Sequence, residues 1–148
     1  MKEKSAALVL SNQLTFPLYA ASNKLMRRYN EFLSYLGLTY TQYIVMATLW
    51  KKEDINMKEL GETLWLKSNT LTPLLKKLST KGYVNVIKNK NDSRNLVISL
   101  TDEGRKLKEK AINVPPNIIK RSNLSDEEIR SFLKILYRIL DEDDSDLY

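Results

Sequence analysis

Apolar residues recur along most of the chain at the three-to-four-residue interval of amphipathic helices, and shift to alternation in one central segment. From Leu8 to Leu36 the pattern is mostly helical, with Leu14, Leu18, Leu25, Tyr29, Phe32, Leu33 and Leu36 as its apolar members. Pro17 predicts that this helix starts or bends there, and Gly37 that it stops. Thr39-Tyr-Thr-Gln42 has capping-box spacing, with Leu38 and Tyr43 placed as a hydrophobic staple, and predicts a second helix to about Trp50 or Lys51. Asn56 as N-cap, with Met57, Leu60 and Leu64 at helical spacing, predicts a short helix over 57–64. Trp65-Leu66-Lys67 reads as a turn, after which Ser68 or Asn69 caps a helix running to about Lys81, ended by Gly82. The period then becomes two: 83–88 and 94–100 are rich in β-branched residues, and the polar stretch 89–93 between them predicts a hairpin with an extended tip. Thr101 caps a further helix that Pro115-Pro116 bends or ends. Ser125-Asp-Glu-Glu128 is another capping box, with Leu124 and Ile129 as its staple, and opens a last helix striped by Ile129, Phe132, Leu133, Leu136, Ile139 and Leu140. The expected fold is mainly α with a small β-hairpin, about six helices in a single domain over 1–148.

Composition narrows the chemistry. The chain has 148 residues, about one domain, with 43% hydrophobic and 28% charged residues, a globular balance that argues against disorder. Cys and His are both absent. That removes disulfides, thiolate or imidazole metal sites, Cys nucleophiles and every His-dependent triad. Glu59 and Glu62 are neighbours on a helix, but such pairs are usually solvated, and no phosphate-cradling Gly-rich loop occurs. No enzyme, cofactor or metal is expected. No apolar run is long enough to span a bilayer and no signal peptide is evident, so the expectation is a cytoplasmic protein without a membrane partner.

Charge changes the picture further, because the net +6 is unevenly placed. Residues 51–110 carry fourteen basic and eight acidic side chains, whereas 111–148 carry five and eight. Within 67–94 there are seven basic groups (Lys67, Lys76, Lys77, Lys81, Lys88, Lys90 and Arg94) and one acid, Asp92. Such a segment attracts a polyanion by Coulomb forces and counterion release, though a solvated lysine surface has the same composition. Its place in the fold decides between them.

Two short helices joined by a tight turn and followed by a basic hairpin make a winged helix-turn-helix, here over 39–100. The second helix of such a unit lies in the major groove of double-stranded DNA. At 100° per residue, Leu71, Leu74, Leu75 and Leu78 form its core face. Asn69, Pro73, Lys76 and Thr80 lie opposite, flanked by Thr72 and Lys77, and the helix carries no acid. Ser68, Asn69 and Thr70 stand at the N-terminus, where they could donate to phosphate or base edges. Pro73 either shapes the helix or offers a flat surface to a thymine methyl. On the hairpin, Lys88, Lys90 and Arg94 face DNA, with Arg94 suited to a narrow minor groove. Asp92 is placed to pair with Arg94 or a nearby amide and so fix the tip.

These residues resemble the MarR family of bacterial transcription regulators. Asp92-x-Arg94 followed by Leu100-Thr101-x-x-Gly104 is similar to that family's wing signature. The stretches 12–19, 38–43 and 66–78 resemble its organic hydroperoxide and oxidative-stress branch. The resemblance implies a homodimer in which the N- and C-terminal helices, 8–36 and 101–141, interlock, and two winged units read a pseudo-palindromic operator. The apolar stripes at both ends of the chain, which one small domain hardly covers, agree with this. Where the branch has its peroxide-sensing Cys, this chain has Thr15, so thiol-based sensing is not implied. Tyr19, Tyr29 and Tyr40 resemble tyrosines around that sensing site; they read either as a pocket for a small-molecule effector or as interface packing. The branch often has Asp and Gly where this chain has Lys67 and Asn69, which predicts a changed base preference. The function expected is a sequence-specific regulator, a repressor; the alternative is a winged-helix interaction module whose basic face docks an acidic partner.

Overall fold

The computed structural model describes residues 6, 8–92 and 95–141, which fall into two compact units, Met1–Val114 and Pro115–Tyr148. In the first unit a 3-10 turn, Leu10–Asn12, precedes helix α1, Thr15–Leu33. Pro17 sits in the first turn of α1, where its missing N–H leaves no helical bond unmade. A second 3-10 turn, Ser34–Leu36, stops at Gly37, whose φ of 65° is the left-handed conformation that glycine adopts without strain. Thr39 and Gln42 then close the predicted capping box, and α2 runs over Tyr40–Lys51.

Helix α3, Met57–Leu64, has the predicted bounds, with Asn56 Oδ1 accepting from Glu59 N at 2.8 Å. Helix α4, Ser68–Thr80, begins on Ser68, the first of its two predicted caps. The N-cap falls on Lys67, which makes no side-chain capping bond, so Ser68 and Asn69 lie inside the helix rather than before it. Strands β2, Val84–Lys88, and β3, Leu96–Leu100, form the hairpin in the register Val84↔Leu100 to Lys88↔Leu96. A third strand, β1, Ile55–Asn56, pairs antiparallel with β3, so the sheet order is β1-β3-β2 and Ile98 at its centre is fully buried. Two residues are too few to show alternation, which is why no pattern announced β1.

One core unites these elements. Leu33, Met46, Leu49, Leu60, Leu71 and Leu78 lose all solvent contact within it, and each such side chain contributes about 1.5–3 kcal/mol of burial. Helix α5, Asp102–Ala111, is capped by Thr101 as predicted. It ends before the prolines, and a separate helix α6, Val114–Lys120, carries Pro115 and Pro116 in its opening turn. The prolines therefore open a helix where they were expected to bend or end one, again because first-turn residues need no N–H partner.

In the second unit, Ser125 and Glu128 close a capping box that starts α7, Asp126–Leu140. None of its residues is buried: Phe132 is 43% exposed and Leu133 46%. The first unit shows the same lack of cover at its beginning, where Leu33 is the only buried residue of α1 and Tyr19 is 66% exposed.

Candidate nucleic-acid interface

The turn between α3 and α4 is closed by Leu66 N donating to Gly61 O at 2.9 Å. A Cβ on Gly61 would stand 2.7 Å from Leu66 O, so only glycine lets the chain return this closely. Trp65 makes the reversal at φ 51°, left-handed backbone that is uncommon for an aromatic residue. The turn fixes the direction in which α4 leaves.

Helix α4 then divides into two faces. Leu71, Leu75 and Leu78 are buried and Leu74 half-buried, while Ser68, Asn69, Thr70, Thr72, Pro73, Lys76 and Lys77 are all exposed. The outward face thus holds the small polar residues at the N-terminal end and the two lysines a turn later. Thr72 Oγ1 donates to Ser68 O at 2.8 Å, and Thr80 Oγ1 to Lys76 O at 2.9 Å. Thr72 therefore presents a methyl and oxygen lone pairs outward, with its proton already engaged. Pro73 cannot donate to the carbonyl of Asn69, which leaves an exposed acceptor on the same face.

Salt bridges among the described residues are placed elsewhere. Lys52 pairs with Glu59, Lys58 with Glu62 at 3.9 Å, and Lys106 with Glu103 at 3.0 Å. Arg105 forks onto Glu53 at 3.0 and 2.9 Å and reaches Asp102 at 3.0 Å; its hydrogen bonds hold the Glu53 carboxyl below its ordinary pKa. Among the described residues, Lys67, Lys76, Lys77, Lys88 and Lys90 enter none of these pairs. Unpaired positive charge among the described residues thus includes that of α4 and the hairpin, alongside cations elsewhere such as Lys24, Lys51 and Lys110.

At the hairpin tip Lys88, Lys90 and Asp92 are exposed. Asn89 N donates to Asn95 O at 2.8 Å and Asn91 N to Asn89 Oδ1 at 2.9 Å. Asn95, a nearby amide, holds Asp92: Asn95 Nδ2 donates to Asp92 Oδ2 at 3.3 Å, and Asn95 N to Asp92 O at 3.0 Å. Arg94, the other residue expected at this tip, lies outside the described residues.

Lys81 departs from the basic surface that composition suggested. Its ammonium donates to Gly37 O and, at 2.9 Å, to Gln42 Oε1, so it is turned toward the start of α2.

Of the four sensing-site equivalents, the fold brings two together. Tyr29 and Tyr40 meet edge to face with ring centroids 4.9 Å apart. Tyr43, which the sequence reading had placed only in a staple, lies 5.8 Å from Tyr29 and extends the group to Trp50 at 6.2 Å. Burial, then the neighbouring Tyr40 and Tyr43 hydroxyls, push the Tyr29 pKa up to about 12. Thr15 and Tyr19 stand exposed on the first turns of α1. A hollow of about 300 Å³ is lined by Asn23, Met26, Arg27, Asn30 and Tyr40, and there Tyr40 N donates to Asn30 Oδ1 at 3.0 Å. Among the described residues, no helix is long and apolar enough to cross a membrane, and no cluster of three acidic side chains could hold a metal ion.

Comparison with known proteins places this arrangement. The family described as transcriptional regulator SarA/Rot matches residues 27–111. The organic hydroperoxide resistance transcriptional regulator of Bacillus subtilis is 38% identical over 95% of this chain and 96% of its own. Reduced AbfR of Staphylococcus epidermidis, solved bound to DNA, superposes with a TM-score of 0.78 at 33% identity, covering 94% of this chain and 97% of that one. Apo MarR of E. coli superposes at 0.69 with 27% identity, over 86% of this chain and 97% of its own.

Proposed function

Because the chain belongs to the SarA/Rot-type transcription regulators of the MarR family, a family of regulators and not of enzymes, we propose that it represses transcription by binding a pseudo-palindromic operator as a homodimer. Helix α4 enters the major groove with Ser68, Asn69, Thr70 and Thr72 at base edges and phosphates, and Lys76 and Lys77 on the backbone. The hairpin lysines, Lys88 and Lys90, reach the flanking backbone, with Arg94 at the minor groove and Asp92 holding the tip through Asn95. One observation carries the reading: the outward face of α4 bears no acid, and its lysines have no ion-pair partner among the described residues. A surface kept only for solubility intersperses both signs, as α5 does with its Lys106–Glu103 pair.

Titration against the chain's own upstream region, with a random duplex as competitor, tests this. The upstream duplex should bind more tightly by a factor of about 10³ or more at physiological salt. Equal affinity for the two would remove the operator reading and favour an acidic protein partner for the same face.

The sequence holds no cysteine, and the resemblance to the hydroperoxide branch puts Thr15 in the place of its sensing thiol. A hydroxyl cannot be oxidised to a sulfenic acid or disulfide. Operator affinity should therefore be unchanged after treatment with cumene hydroperoxide; release of DNA by peroxide would contradict the proposal. The hollow lined by Arg27, Asn30 and Tyr40 is one place in this unit for a small-molecule effector instead.

A further inference from the structure

We infer that Lys81 is a positioning residue for DNA reading, one that fixes the tilt of α4 from its C-terminal end and does not contact phosphate. The inference rests on the operator reading above. Lys81 follows the last residue of α4, and its backbone N–H still bonds to Lys77 O at 3.0 Å, so it moves with the helix. Its ammonium donates to Gly37 O, at the left-handed stop before α2, and at 2.9 Å to Gln42 Oε1. Gln42 is itself buried, 3% exposed. The same Oε1 accepts from Thr39 N at 3.2 Å, while Gln42 N donates back to Thr39 Oγ1 at 3.3 Å. One lysine therefore ties the capping box of α2 and the turn before it to the end of the reading helix.

The mechanical consequence follows from length. A thirteen-residue helix is about 20 Å long, so releasing its C-terminal end by about 5° moves the N-terminus by roughly 2 Å. Hydrogen bonds to base edges do not survive such a shift, because they need donor and acceptor near 3 Å. Phosphate attraction by Lys76 and Lys77 does survive it, since Coulomb attraction is long-ranged and undirected. Loss of Lys81 should thus erode sequence discrimination and spare nonspecific binding. Loss of a phosphate-contacting lysine does the reverse.

Anisotropy titrations of Lys81→Met, Lys81→Arg, Gln42→Met, the Lys81→Met/Gln42→Met double variant and Lys76→Met, on upstream and random duplexes over a salt series, separate the two. For Lys81→Met the expected result is about tenfold weaker binding to the upstream duplex, the order set by one charge-assisted hydrogen bond, with random-duplex affinity and salt slope unchanged. Lys81→Arg, which keeps donors for both acceptors, should restore the upstream affinity. The double variant should be no weaker than either single one, as expected for two halves of one contact. Lys76→Met should instead flatten the salt slope by about 1.8 on both duplexes, about 0.9 for each of the two copies in the proposed homodimer. Should Lys81→Met fail to fold in a thermal melt, Lys81→Gln carries the same measurement. Wild-type-like affinity of Lys81→Met, or a slope flattened as in Lys76→Met, overturns the inference. A wild-type protein that does not prefer its upstream duplex overturns the operator reading instead.

Discussion

Gly104 shows how tightly single residues are held in this fold. A Cβ there would stand 2.1 Å from Tyr83 O, and the Gly104 carbonyl accepts from Trp50 Nε1 at 2.8 Å. Gly104→Ala must push the start of α5 off the hairpin, and we expect it to lower unfolding free energy by about 1–3 kcal/mol in a urea titration. Tyr29 gives a second residue-scale prediction. Its pKa is raised to about 12 from 10.0 by burial and by Tyr40 and Tyr43, so the folded state holds the phenol proton more firmly than the unfolded chain. The stabilisation is complete below pH 10 and is lost as pH rises from 10 toward 12. Denaturation midpoints should fall across that window, and Tyr29→Phe should fall less steeply; an identical decline in both would remove Tyr29 as the cause. The pairing of Tyr29 with Tyr40 was open to the sequence only through resemblance. That Tyr43 and Trp50 join them depends on how α1 meets α2, which no local pattern states.

At the scale of elements, helices and their caps were the most legible part. The boxes at Thr39–Gln42 and Ser125–Glu128 and the caps at Asn56 and Thr101 form as the spacing indicates, because each is satisfied within four residues. The start of α4 is the exception. Ser68 and Asn69 are good caps by type, but the turn closed by Gly61 and Leu66 starts the helix one residue sooner and gives Lys67 the cap position. A lysine side chain has no acceptor for the first-turn N–H groups, of which Thr70 N bonds to the Lys67 backbone carbonyl at 2.9 Å. Lys67→Asp should therefore raise stability by about 1 kcal/mol, read as an increase in melting temperature. No gain would mean that those N–H groups are already satisfied by the turn. Strand β1 was illegible for a different reason: a two-residue strand exists only because β3 offers it an edge.

For the whole molecule the telling feature is apolar surface left uncovered. In the second unit Phe132, Leu133 and Leu140 are each more than two-fifths exposed, and in the first Leu14 and Tyr19 are more exposed still. Monomeric proteins rarely leave contiguous surface of this kind to water, and a second copy of the chain is the proposed cover. Sedimentation equilibrium should give about twice 17.2 kDa. Leu133→Glu should shift that mass toward the monomer and abolish tight operator binding, because two half-sites are then no longer read by one particle. A dimer that persists in Leu133→Glu would place the interface away from this stripe. Both stripes were plain in the sequence, since helical periodicity is local, but periodicity does not say what covers them.

The sequence by itself settled where most of the helices lie, the one opened by Pro115 and Pro116 excepted, which face of α4 points inward, and where positive charge accumulates. Those properties depend on side-chain type and on repeats of three to four residues. Tertiary structure alone decided that Lys81 turns away from the basic surface toward Gln42, that Lys67 takes the cap, and that Ile55 completes the sheet. The first and last of these need two groups far apart along the chain to meet, and the cap follows from the backbone turn that Leu66 N closes on Gly61 O; composition and spacing contain none of that geometry.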